Sequence, residues 1–64
     1  MLTKPRLLRL TKGLRQVDVV SLTEGKVTQP RLSMIERGIT PRPDEARALA
    51  DVFQVEPQEL FQAT

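Results

Sequence analysis

Prolines stand at positions 5, 30, 41, 43 and 57 of this 64-residue sequence, and they dictate where its helices can begin. Proline lacks a backbone N–H and its ring clashes with the preceding turn, so a helix interior rejects it at a cost of about 3 kcal/mol. The first turn is different, because its N–H groups have no intrahelical partner in any case. The apolar residues recur at helical spacing, and strand-like alternation never lasts more than a few residues. The prolines therefore read as helix starts. Thr3 is placed to cap a first helix with Pro5 in its first turn; Leu7, Leu8 and Leu10 form its apolar face, and Gly13 ends it as a left-handed residue. A second helix runs from about Gln16 to Thr23 with Val19, Val20 and Leu22 inward, followed by the turn Glu24-Gly25-Lys26. In "VTQPRLSMIERG", residues 27 to 38, Thr28 is the N-cap and Pro30 the second helical position, giving a third helix over about 28–37. A fourth helix fits Pro43 to Phe53, with Ala46, Leu49, Ala50 and Phe53 on one stripe. In "EPQELF", Glu56 caps, Pro57 takes the first helical position, and Leu60 and Phe61 fold back. The expected fold class is all-α: a compact arrangement of five short helices in one domain spanning residues 1–64.

Such a chain buries only about 60% of its unfolded surface and folds on a thin margin. It has no cysteine and no histidine, which removes disulfides, thiolate-bound zinc and the commonest general base. Neither a cofactor, a metal nor a small-molecule ligand is expected, and the small helical chain offers no obvious cleft for catalysis by carboxylates. No apolar run approaches a membrane span and no signal-peptide core precedes the first polar residues, so a soluble, cytoplasmic protein is expected. The net charge of +2 is a mild basic bias that points to an anionic partner only weakly.

The third helix carries more information. At about 100° per residue, Leu32 and Ile35 lie on its buried side, with Thr28 and Glu36 at the edges. Pro30, Ser33, Met34 and Arg37 point the other way, with Gln29 on the flank. A purely solvated face would be richer in Glu and Lys. Small, amide and apolar groups together suit the reading of base edges.

With these segments the chain resembles the helix-turn-helix domains of the lambda-repressor and Cro type, the XRE family. The resemblance spans residues 6 to 61 and rests on "GLRQVDVV" entering the second helix, "VTQPRLSMIERG" for the third, and "PRPDEARALADVFQVEPQELF" for the rest. It implies sequence-specific binding of double-stranded DNA by a transcriptional regulator, in the form of a repressor acting as a homodimer on a palindromic site. The third helix would be the recognition helix, entering the major groove. On that resemblance Gln29, Pro30, Ser33 and Met34 match base-contacting positions. Gln16, Thr28, Arg37, Thr40 and Arg42 match phosphate-contacting positions, while Arg9 and Glu36 match a structural salt bridge. Lys26 and Arg31 fall near the DNA side, with a solvated role equally open. Dimer contacts would come from the last two helices, around Val55 and Phe61.

Four departures from the family pattern stand out. Arg15 occupies the place of a Ser or Thr cap, and Val20 that of a small residue where the second and third helices cross. The turn at Glu24-Gly25-Lys26 is two residues longer than usual. Gln54 stands where glycine usually closes the fourth helix, in a left-handed conformation. The longer turn keeps open a second reading, a protein-interaction module that uses the same fold without specific DNA binding. Salt dependence of duplex binding separates the two.

Overall fold

The computed structural model describes residues 2–61. Four α-helices follow one another, α1 (Lys4–Thr11), α2 (Gln16–Leu22), α3 (Gln29–Glu36) and α4 (Pro43–Phe53), and a 3-10 turn over Pro57–Phe61 closes the order. Among the described residues there is no β-strand. The all-α expectation holds, with one difference: the fifth element is a 3-10 turn rather than an α-helix. Its hydrogen bond runs from Glu59 N–H to the Glu56 carbonyl at 3.0 Å, a spacing of three residues. Prolines occupy the first or second position of α1, α3 and α4, and Pro57 opens the 3-10 turn.

The core is built from Val19 of α2, Leu32 and Ile35 of α3, Leu49 and Phe53 of α4 and Val27 from the α2–α3 turn, all fully buried. Leu8, Leu14, Val20, Val52 and Val55 pack around it half-buried. α2 lies against α3, α4 against the closing turn, and α1 touches α3, α4 and that turn.

Four sequence expectations are corrected here. Leu10, Leu22 and Phe61 are about half exposed, at 49%, 57% and 54%. Leu10 lies about 200° around α1 from Leu8, which faces the core. In α2 the inward place one turn after Val19 belongs to Thr23, only 4% exposed, and Leu22 turns out. At the end of the chain Leu60 enters the core and its neighbour Phe61 does not. Thr3 sits at the N-cap position of α1 but makes no capping bond. Its hydroxyl instead donates to the Glu36 carbonyl at 2.8 Å, fastening α1 to the end of α3.

The α2–α3 turn carries two consecutive residues in left-handed conformations, Glu24 at φ 58° and Gly25 at φ 81°. Thr23 closes the loop: its hydroxyl donates to the Val20 carbonyl at 2.8 Å and accepts from Val27 N–H at 3.3 Å. Val27 is thereby set into the core and Thr28 at the start of α3. Gln54 closes α4 in the left-handed region at φ 59° without being glycine.

Candidate nucleic-acid interface

α3 presents one side to the core and one to solvent. Leu32, Ile35 and Glu36 are buried, Gln29 and Pro30 are exposed, and Ser33 and Met34 are half-buried. The four positions expected to face bases therefore share one side of one helix, over its first six residues. Thr28 caps that helix, its hydroxyl accepting from Arg31 N–H at 3.4 Å. An exposed helix start carries unpaired N–H groups and the positive end of the helix dipole, both favourable to phosphate.

Both ends of α3 are fastened by ion pairs. At the C-terminal end the Glu36 carboxylate accepts from Arg9 Nε at 2.6 Å and Nη2 at 3.0 Å. Arg9 Nη1 also donates to the Leu14 carbonyl at 2.8 Å. The hydrogen bond to Glu36 raises the Arg9 pKa against the opposing effect of burial. At the N-terminal end Arg31 Nε and Nη2 donate to Glu45 of α4 at 2.8 and 2.7 Å. Glu45 Oε1 also accepts Arg42 N–H at 2.9 Å, completing the first turn of α4. The Arg31 bonds hold the Glu45 carboxyl down from 4.5 to about 2, overcoming burial, with the Arg42 N–H adding to the effect. α3 is thus tied to α1 on one flank and to α4 on the other.

The expected phosphate-facing residues surround this helix. Gln16 opens α2 half-buried, and its amide Nε2 donates to Glu36 Oε1 at 3.2 Å. It therefore joins the Arg9–Glu36 network. Arg37 follows α3 as its C-cap, exposed, with Nε 3.4 Å from the Ser33 carbonyl. Thr40 is exposed in the α3–α4 loop, and Arg42 is exposed at the N-cap of α4. Neither Arg37 nor Arg42 has an acidic side-chain partner among the described residues.

Two features escape a reading of the sequence. One is the Arg31–Glu45 pair, which assigns Arg31 a structural role at the N-terminal end of α3. The other is Asp18, whose carboxylate accepts Arg15 N–H at 2.8 Å and pairs with the Arg15 side chain, so the start of α2 is closed although the Arg15 side chain makes no capping bond. The bond to the Arg15 side chain, followed by that to its N–H, lowers the Asp18 pKa. A signal was present for Asp18, since an acid three residues after the N-cap supplies half of a capping box; the same spacing of Glu45 after Arg42 announces the bond to Arg42 N–H but not the pair with Arg31.

Among the described residues no helix is long and apolar enough to cross a membrane, and no acidic group has the makings of a metal site. A family model described as helix-turn-helix matches residues 6–60. No curated protein and no solved structure gives a match.

Proposed function

The chain belongs to the helix-turn-helix family of the lambda-repressor and Cro type, a family of DNA-binding transcription regulators, and on that premise we propose that it represses transcription as a homodimer on a palindromic site, with α3 in the major groove. Gln29, Pro30, Ser33 and Met34 then face base edges. Thr28, Arg37, Thr40 and Arg42 set the register on the phosphates, and Gln16 adds an amide at the rim. Phosphate contacts position such a protein and base contacts specify its site. The observation that carries this reading is the outer face of α3: four uncharged residues, two of them exposed, on a helix clamped at both ends and flanked by two arginines that form no ion pair among the described residues.

Selection from a random duplex library tests it. The expected result is an enriched inverted repeat whose half-sites lie about one helical turn apart, or a multiple of it. Binding to that duplex should weaken steeply with salt. A library that returns no preferred sequence, with no salt-dependent duplex binding, would refute the reading and favour the protein-interaction module.

A further inference from the structure

Arg31 is the third residue of α3, in the same turn as Gln29 and Pro30. The sequence places it near the DNA side with a solvated role equally open. There the Nε–Nη2 edge of its guanidinium is filled by one carboxylate, Nε to Glu45 Oε2 at 2.8 Å and Nη2 to Oε1 at 2.7 Å. The planar guanidinium fork meets a carboxylate and a phosphate with the same paired geometry, so the two compete for it. The Arg31 side chain keeps 24% of its surface in solvent while that of Glu45 keeps 5%. Arg31 could thus turn outward without repacking the core, and what retains it is Glu45. The other ion pairs do not serve this purpose: Arg9–Glu36 faces α1, and Arg15–Asp18 is a local pair at the start of α2.

We propose that Glu45 is a positioning residue that sets the sequence-independent affinity and salt dependence of duplex binding, its carboxylate occupying the Nε–Nη2 edge of Arg31 that a phosphate would otherwise take. Arg31 then orients the recognition helix without adding to sequence-independent affinity. Non-specific binding is almost wholly electrostatic, whereas specific binding also draws on base contacts. A phosphate contact enters both, so withholding one cation from the DNA face lowers affinity for every duplex by about the same factor and makes its salt dependence shallower. The same carboxylate accepts the Arg42 N–H, so the withheld cation and a phosphate-facing residue are held in one frame. This inference rests on the DNA-binding reading above.

The test compares the parent chain with Glu45→Gln, which keeps the volume and an acceptor for Arg42 N–H but removes the charge. Affinities are measured for the selected duplex and for a scrambled one at several salt concentrations. With Arg31 released to a phosphate, the salt slope should steepen by about 0.9 per subunit, an additional loss of roughly 3.5-fold for a fourfold rise in salt. The selected and the scrambled duplex should gain by about the same factor, so that discrimination is unchanged. Adding Arg31→Gln to Glu45→Gln should return the slope to that of the parent. A purely structural role for Glu45 would weaken both duplexes without moving the slope, and that result would overturn the proposal. Should Glu45→Gln fail to fold, Arg31→Gln alone decides: an unchanged slope supports the proposal, and a slope reduced by about 0.9 shows Arg31 already on a phosphate and overturns it. A parent chain that binds no duplex refutes the DNA-binding reading itself. A parent that binds while Glu45→Gln keeps the parental slope refutes this inference alone.

Discussion

Replacing Glu36 with alanine strikes the most buried of the ion pairs among the described residues. Glu36 accepts through its carboxylate from Arg9 Nε, Arg9 Nη2 and Gln16 Nε2, and its side chain is 4% exposed against 12% for Arg9. Removing it leaves a guanidinium enclosed without its counter-charge, a change that costs about 3 to 5 kcal/mol in buried pairs. Arg9 Nη1 keeps the Leu14 carbonyl and the guanidinium keeps some contact with water, which places the loss at the lower end, about 3 kcal/mol. A chain of this length has a total stability of about 3 to 10 kcal/mol, so the variant would lie close to unfolding. In a thermal melt followed by circular dichroism the midpoint should fall by about 12 to 24 °C. Glu36→Leu combined with Arg9→Met should cost less than Glu36→Ala, because no charge is then left unpaired. A Glu36→Ala midpoint within about 2 °C of the parent would refute the reasoning, since it would mean that the pair is solvated enough to be dispensable.

Other outcomes follow from the same geometry. Glu45 has a folded pKa of about 2 against an ordinary 4.5, so its contribution is complete above about pH 5 and is lost as pH falls toward 2. Allowing for solvent at the edge of the pair, that contribution is about 2 kcal/mol. In urea titrations the stability gap between the parent and Glu45→Gln should close across that acid window; a gap independent of pH would assign it to packing. Arg42→Ala should weaken all duplexes about equally and lower the salt slope by about 1 per subunit, and an unchanged slope would return Arg42 to the solvated surface. Gln29→Ala should cost about 1 to 3 kcal/mol at the preferred site and relax one base pair per half-site, with non-specific binding nearly unchanged. Pro30→Ala should melt like the parent, because the ring supplies no hydrogen bond at the second helical position, and should alter only a neighbouring base preference. A large loss of stability in Pro30→Ala, with sequence preference intact in both variants, would remove α3 as the reading element.

How much of this was legible in the sequence depends on how far apart the interacting residues lie. The starts of α1, α3 and α4 were legible because proline acts locally. The buried stripe of α4 was legible because Ala46, Leu49, Ala50 and Phe53 repeat over three turns. Leu10 and Leu22 were misplaced because short helices offer too few apolar positions to fix the angle of the stripe, and Thr23 filled the place given to Leu22. Val27 is fully buried yet lies in a turn, where no period announces it. The partners Arg31 and Glu45 stand fourteen residues apart on different helices, a pairing that only the packing of α3 beside α4 creates. Legibility of the outer face of α3 came from the positions that periodicity leaves over, and the atoms they would touch lie outside this chain.

The α2–α3 turn bears on motion as well as shape. Five successive N–H groups find acceptors across it: Thr23 to Val19, Glu24 to Ser21, Gly25 to Val20, Lys26 to Thr23, and Val27 to the Thr23 hydroxyl. A surface connection of this length would ordinarily open freely and exchange its amide hydrogens within the fastest class. Here exchange requires that Thr23 leave the interior and that Val27 withdraw from the core, so protection through residues 23–27 should approach that of α2 itself. Thr23→Ala, which removes the hydroxyl that both Val20 and Val27 use, should raise exchange at Val27 N–H first.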